Sequence, residues 1–218
     1  MTARVVLIGL LTLWALASLG GCQDDVTTPF PAGLEPLEDN RVPDATGTPT
    51  EALRSKQGSS GDTEQTHGRG FVFVDPARLW ELTKDPLAMV ARCRTDSQTV
   101  TLGADPAYEL DYVVHYVVND ILTVEWDDQW RYGIIDGTAG APRLGMIRHQ
   151  KIQGSDFIDV SEGTIQVLAT DDPNISELAF VEHLDAISGS ADDLLEGMQD
   201  NYARLVALAH DLPRPSCP

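Results

Sequence analysis

Hydrophobic and polar positions divide the chain into three parts. An uncharged apolar run, VVLIGLLTLWALASL, occupies 5–19, and the segment 23–68 is rich in Pro, Thr, Gly, Ser and acidic residues. From 69 onwards, apolar positions recur at strand or helix spacing. A segment as poor in aromatic and β-branched residues as 23–68 cannot offset its ordering entropy. We therefore predict a disordered tether over 22–68, one folded domain over 69–213 and a short tail over 214–218.

The domain is predicted to contain three helices. Two Asp-Pro pairs, at 75–76 and 85–86, each place an N-cap acceptor before a proline at the first helical position. They predict short helices over 76–83 and 86–93. A long amphipathic helix is predicted over 191–210, where a capping box precedes apolar residues at helical spacing.

The remaining apolar segments have strand-like periodicity and short turns between them, which favours an antiparallel meander. Strands are predicted at 70–74, 98–102, 109–118, 121–135, 144–152, 157–170 and 176–184.

This order of elements resembles the START-like helix-grip fold, also called the SRPBCC or Bet v 1-like superfamily. The resemblance covers about 70–212 and rests on element order, because the superfamily has no short diagnostic motif. It implies an α+β fold. A curved antiparallel sheet of about seven strands would wrap a long C-terminal helix, with two short helices after the first strand. A lipocalin-like barrel is the main competitor, but it lacks the two early helices.

In the superfamily, a hydrophobic cavity lies between the sheet and the long helix. Members bind lipids, sterols, polyketides or other apolar ligands, and some are cyclases or hydrolases. The resemblance therefore implies an apolar or amphiphilic small-molecule ligand. We expect no cofactor and no metal. The candidate cavity residues are Tyr112, His115, Tyr116, Trp130, Tyr132, Met146, His149, Phe180, Met198 and Tyr202.

Two other functions stay open at this point. An enzyme of cyclase or hydrolase type would use His115 or His149 with Asp111 or Glu182 as acid–base groups. Alternatively, a non-catalytic interaction module of the cell envelope would have a filled core. Zinc ligation by His115, His149 and His183 would need three strands to converge, and these histidines lack the local spacing of a metal motif. We therefore interpret them as separate histidines.

The N-terminus has the pattern of an export signal. One basic residue precedes the apolar run, which is shorter than the ~20 residues that span a bilayer comfortably. The tetrapeptide Leu-Gly-Gly-Cys at 19–22 resembles the lipobox of bacterial lipoproteins. This resemblance implies that 1–21 is cleaved and that Cys22 is acylated, since several acyl chains give stable membrane anchoring. Gln23 then favours the outer membrane, with the domain facing the periplasm or the exterior.

The charge excludes one class of partner. With 34 acidic and 15 basic residues, the formal net charge is -19. No basic stripe is available to replace the counterions of a phosphate backbone, so nucleic-acid binding is not expected. We expect a soluble, monomeric domain that attaches to membrane through lipid on Cys22.

Cys93 and Cys217 are the two remaining cysteines. An exported protein meets an oxidising compartment, so a bridge between them is favoured over two free thiols. In the resembled fold, the two short helices cradle the end of the long helix. The resemblance therefore implies a disulfide between Cys93 and Cys217.

Overall fold

The structure is a computed structural model that describes residues 25–90, 93, 95–119 and 122–216. In these ranges the chain forms one antiparallel sheet of eight strands and three helices. The strands are β1 (Leu53–Ser60), β2 (Thr63–Val72), β3 (Ser97–Leu102), β4 (Leu110–Asn119), β5 (Thr123–Thr138), β6 (Ala141–Gly154), β7 (Ile158–Ala169) and β8 (Ser176–Ala186). The helices are α1 (Pro76–Thr83), α2 (Pro86–Met89) and α3 (Ala191–Ala209).

The sheet is open, with strand order β1-β2-β8-β7-β6-β5-β4-β3. Strands from β3 to β8 pair with their neighbours in sequence, whereas the N-terminal hairpin joins at β8. Thr66 of β2, for example, lies opposite Glu182 of β8. Register shifts interrupt the β5–β6 and β7–β8 pairs, and such bulges bend a strand and increase its twist.

The helices begin where the sequence predicts. The side chains of Asp75 and Asp85 accept hydrogen bonds from backbone amides in the first turns of α1 and α2. At α3, Ser190 and Asp193 form a complete capping box. The helix α2 is shorter than predicted and ends at Met89.

Two glycines of β2 bring α3 close to the sheet. A Cβ atom at Gly68 would lie 2.2 Å from Met198 Sδ, and one at Gly70 would lie 2.5 Å from the Tyr202 ring. The Tyr202 hydroxyl donates a hydrogen bond to the carbonyl oxygen of Phe71, at 2.6 Å. Because these two positions of β2 have no side chains, the long helix can pack directly on the strand.

The structure corrects the predicted tether and domain boundary. Residues 53–68 form β1 and most of β2 instead of a disordered segment, so the folded unit begins well before residue 69. His67, interpreted from the sequence as a solvated tether residue, is fully buried. The segment is polar because β1 is an edge strand whose residues are mostly exposed. The second strand of the hairpin, β2, is ordered by its pairing with β8.

Residues 25–44 lie against the outer face of the sheet, the face that does not contact α3. Asn40 donates hydrogen bonds to the carbonyl oxygens of Gly68 and Phe180, at 3.0 and 2.9 Å. The Arg131 guanidinium stacks over the Phe30 ring, at 4.3 Å from its centroid. This stretch, which we call the outer strap, was also predicted to be disordered, and that prediction is wrong for its described residues.

The predicted fold class is confirmed: the chain is α+β, with an open antiparallel sheet and a long C-terminal helix. The sheet has eight strands instead of about seven, because β1 was assigned to the tether. For the same reason, the two short helices follow the second strand and not the first.

Several predictions fall outside the described residues. The signal sequence, Cys22 and Cys217 are in this group, so the lipid anchor and the disulfide pairing stay predictions. Among the helices that the structure does describe, none has the length and apolar character needed to cross a membrane.

Candidate functional site

An unfilled cavity of about 370 Å³ lies between the N-terminal half of α3 and the inner face of the sheet. From α3 its lining includes Leu194, Gly197 and Met198, and from β5 it includes Trp126 and Trp130. Protein interiors usually contain few voids larger than a water molecule. A volume of this size, lined mainly by apolar groups, lies at the lower end of the roughly 300–1,000 Å³ typical of small-molecule sites.

The cavity exists because large and small side chains are unevenly distributed along the inner face. At one end, Trp80 of α1 packs against Gly145, where a Cβ atom would lie 2.5 Å from the indole ring. Next to it, the Tyr112 and Tyr132 hydroxyls form a hydrogen bond of 2.7 Å. Around the cavity, at the other end, the lining includes the small residues Ser161, Ala186, Ser188, Gly189 and Gly197.

One buried polar pair lies in the cavity lining. His149 Nε2 and Glu182 Oε2 are 3.0 Å apart, and the two residues are only 2% and 8% exposed. They belong to β6 and β8, on either side of β7. The residue between them is Gly163, where a Cβ atom would lie 2.2 Å from both His149 Nε2 and Glu182 Oε2. The pair can meet across the central strand because that position has no side chain.

The His149 ring is held in place by an aromatic neighbour. It stacks on Trp130 with 4.3 Å between ring centroids and 13° between planes. With Nε2 directed at Glu182, the opposite nitrogen, Nδ1, is available as an acceptor. Three buried nitrogen atoms of the lining have no hydrogen-bond partner in the described part of the chain: His149 Nδ1, Trp126 Nε1 and Trp130 Nε1. Unpaired buried polar atoms beside an empty volume suit a ligand that carries a polar group.

Three of the predicted cavity residues, Trp130, His149 and Met198, line this cavity. Five others are also buried in the core of the domain, where they fill space instead of bordering the void: Tyr112, Tyr116, Tyr132, Phe180 and Tyr202.

Two predicted cavity residues are misplaced, because they lie on the outer face. Side chains alternate along a strand, so His115 points away from its neighbours Val114 and Tyr116, which are both in the core. Its Nδ1 lies 2.7 Å from Asp127 on the same face. Met146 alternates in the same way with Ile147, which is in the core cluster, whereas Met146 is not.

The acid–base alternatives are reduced to one. Asp111 lies on the outer face with His115, one position from the buried Tyr112, so that combination does not reach the cavity. His149 with Glu182 does. His183 also lies on the outer face, so the three histidines do not converge on one zinc site. Over the described ranges, no cluster of three or more His, Cys, Asp or Glu residues could hold a metal ion.

Several lining residues were not predicted, including Val118, Val124, Phe157, Ser161 and Leu184. Val118 and Val124 flank the predicted β4–β5 hairpin turn. Their position beside this turn could have identified them as residues at one end of the sheet. The others depend on which strand ends lie under α3, which periodicity does not reveal.

A second polar cluster joins the outer strap to the sheet. Glu38 of the strap lies 3.0 Å from His183 Nε2 and 3.3 Å from His67 Nε2. His183 Nδ1 lies 3.4 Å from Glu162 on β7, and the Arg41 guanidinium lies 2.7 Å from Glu38. The strap is therefore attached to the sheet by ionisable groups.

These contacts shift the pKa values of the cluster. The hydrogen bond with Glu162 raises the pKa of His183 above its ordinary 6.5, and it lowers the pKa of Glu162. Burial alone would raise the pKa of Glu38, but hydrogen bonds from His183 and Arg41 hold it below the usual value. Burial lowers the pKa of His67.

The cluster predicts a pH-dependent contribution to stability. A raised histidine pKa contributes stability that is fully present below the unfolded value and is lost as pH rises through the folded value. His183→Gln should therefore reduce the free energy of unfolding more at about pH 6 than at ~pH 9. Urea titrations at both pH values measure this difference. The matched control is His210→Gln at an exposed ion pair with Glu51. A His183 effect that is equal at both pH values would contradict the assignment.

Comparison with known proteins gives structural similarity only. No protein-family profile matches the chain, and no curated protein matches it. Among solved structures, the chain is similar to the human StarD13 (DLC2) lipid transfer and protein localization domain. The identity is 10%, over 77% of this chain and 87% of that one, with a TM-score of 0.49. It is also similar to the Zhui aromatase/cyclase from Streptomyces sp. R1128, with 11% identity over 68% of this chain and 88% of that one and a TM-score of 0.41.

Similarities at this level carry no argument about ligand or reaction. The fold is assigned from the chain's own elements. Eight antiparallel strands form an open sheet, and the C-terminal helix packs on its inner face, which is the helix-grip architecture.

Proposed function

We propose that the protein binds a small apolar or amphiphilic molecule in the cavity between α3 and the sheet. The observation that carries this proposal is the unfilled volume of about 370 Å³, lined mainly by apolar groups around the buried His149–Glu182 pair. Apolar surface beside an empty space gains free energy when an apolar ligand removes it from water, at ~25 cal/mol per Å².

The lining also suggests the general form of the ligand. Its apolar part would contact Trp126, Leu194 and Met198, and a single polar group would reach His149 and Trp130. One nitrogen there accepts and the indole nitrogens donate hydrogen bonds. A hydroxyl or carboxylic acid group on one chain or ring system meets both requirements.

A direct binding assay tests the proposal. The probe is N-phenyl-1-naphthylamine, whose fluorescence rises in apolar surroundings. The protein is a chain that begins at Gln23 and retains every described strand, helix and core residue. We expect saturable binding with one site per chain, and displacement by single-chain fatty acids or alcohols. Absence of saturable binding by protein with a native circular-dichroism spectrum would overturn the proposal.

Membrane attachment through Cys22 is part of the same proposal and rests on the lipobox resemblance at 19–22. Acylation at this residue would confine the domain to a bacterial envelope membrane. Mass spectrometry of the N-terminal peptide from protein expressed in its host envelope tests this attachment. We expect an acylated Cys22 as the first residue, and an unmodified Cys22 within a longer peptide would contradict it.

A second candidate function is acid–base catalysis in the cavity. It is favoured by the geometry of His149, which is oriented by a carboxylate on one nitrogen and has no described partner on the other. A histidine in this arrangement can act as a general base toward a bound molecule. If the cavity ligand identified from an envelope extract is recovered chemically unchanged after prolonged incubation, binding alone is supported.

A further inference from the structure

The cavity lies at one end of the sheet, and three chain connections meet there. Antiparallel pairing places Trp126, near the start of β5, opposite Gly154, at the end of β6. It also places Ile158, at the start of β7, opposite Ala186, at the end of β8. The β4–β5 turn, the β6–β7 turn and the β8–α3 connection therefore share one end of the domain, which we call the cavity end.

The outer strap begins at the same end. Asp25 forms an isolated bridge with Ser155 in the β6–β7 turn, and the amide of Val26 donates a hydrogen bond to Gly154 O at 3.0 Å. Cys22 precedes Asp25 by three residues. Three extended residues span at most ~10–11 Å. Any lipid carried by Cys22 is consequently confined to the neighbourhood of the cavity end.

Besides Val26 of the outer strap, two more strongly exposed apolar side chains lie at this end. Leu122, in the β4–β5 turn, is 59% exposed, and Ile187, after β8, is 78% exposed. Single exposed apolar residues are ordinary on protein surfaces. These two, however, are close in sequence to residues of the cavity lining: Leu122 is two positions before Val124, and Ile187 directly follows Ala186. Their position beside the cavity and beside the chain entry points to a common apolar partner.

We propose that the cavity end rests on the lipid bilayer. Leu122 and Ile187 enter the headgroup region, and a single-chain membrane amphiphile moves directly between the bilayer and the cavity. This inference rests on the proposed ligand binding and on acylation of Cys22. The anchor and the two side chains act together: the anchor raises the local concentration of membrane, and the side chains orient the domain on it.

The acidic residues at the cavity end determine which type of membrane surface the domain can approach. Asp25, Glu125 and Asp156 are exposed there, and anionic headgroups repel such carboxylates within a Debye length. Phosphatidylcholine, which is zwitterionic, is therefore the suitable test membrane. The acidic rim also means that the two apolar side chains bind the surface weakly by themselves.

The test measures lipid uptake from a membrane. The acylated full-length protein is reconstituted in phosphatidylcholine vesicles that contain pyrene-labelled lysophosphatidylcholine, and loss of excimer fluorescence reports its transfer to the cavity. We expect the double variant Leu122→Asp with Ile187→Asp to slow transfer about tenfold or more. The matched control is Leu102→Asp with Ile135→Asp, two exposed apolar positions at the opposite end of the sheet, which should transfer at the native rate.

A separate measurement distinguishes the docking surface from the cavity itself. In vesicle-free solution, the double variant should bind N-phenyl-1-naphthylamine with native affinity, because neither substituted residue lines the cavity. Native-rate transfer by the double variant would overturn the docking proposal and leave ligand binding intact. Failure of the unsubstituted protein to bind the probe would instead overturn the proposed function. If the aspartates impair folding, Leu122→Ser with Ile187→Ser provides the same test.

Discussion

Replacing Gly197 by leucine is expected to remove most of the affinity for N-phenyl-1-naphthylamine. Gly197 is in α3 and lines the cavity, and a Cβ atom built on it meets no other atom within 4 Å. A leucine side chain can therefore occupy the volume that the ligand needs. We expect affinity to fall at least about tenfold, which corresponds to ~1.4 kcal/mol of binding free energy.

The same substitution should not destabilise the protein. Leucine favours a helix interior over glycine by roughly 1 kcal/mol, and its side chain gains apolar contacts in the cavity. Urea denaturation should show an unchanged or higher free energy of unfolding. The matched control is Gln199→Leu, an exposed position of the same helix, which should leave affinity unchanged. Native affinity in Gly197→Leu, measured by probe titration, would place the ligand elsewhere.

Replacing His149 by leucine is expected to produce a large loss of stability. The substitution removes the partner of Glu182, a residue that is only 8% exposed, together with the stacking on Trp130. A buried carboxylate that loses its partner costs more than the net value of the pair. We expect the free energy of unfolding at neutral pH to decrease by about 3 kcal/mol.

A double-mutant cycle separates the pair from its surroundings. His149→Leu combined with Glu182→Leu removes both polar groups, so it should be more stable than His149→Leu alone. The matched control is His115→Leu, because His115 also pairs with a carboxylate but lies on the outer face with 45% of its side chain exposed. Its loss should stay below ~1 kcal/mol. Equal losses at the two histidines, measured by urea denaturation, would contradict a special role for the buried pair.

Local signals were sufficient for most of the elements. The Asp-Pro caps located the starts of α1 and α2, and the capping box located α3. Alternating apolar residues located β4 to β8. These signals are reliable because a cap or a periodic pattern depends only on residues that are a few positions apart in the sequence.

The N-terminal hairpin could not be found in this way. Its sequence, from Leu53 to Val72, contains many polar residues and four glycines, and such composition is typical of linkers. Glycine is required at 68 and 70 because side chains there would collide with α3, which is more than 120 residues later in the sequence. The stabilising partner of the hairpin is β8, so only the tertiary structure explains why this segment is ordered.

The presence of a cavity between the sheet and the long helix was predicted, but only some of its lining residues were. Met146 and His149 are separated by three positions on β6, and a regular strand places such residues on opposite faces. The same parity separates His115 from Tyr112. Strand alternation alone therefore shows that these candidates could not all face one cavity. Which face receives α3 depends on strand pairing, which the sequence pattern leaves open.

The position of β2 beside β8 also determines the timing of folding. Glu64 pairs with Leu184, across most of the length of the domain, and such long-range contacts slow folding because the intervening loop must close first. The N-terminal hairpin has no further neighbour in the sheet until β8 has been synthesised. The β1–β2 hairpin must therefore wait for its partner strand, and the sheet is completed only when β8 is available.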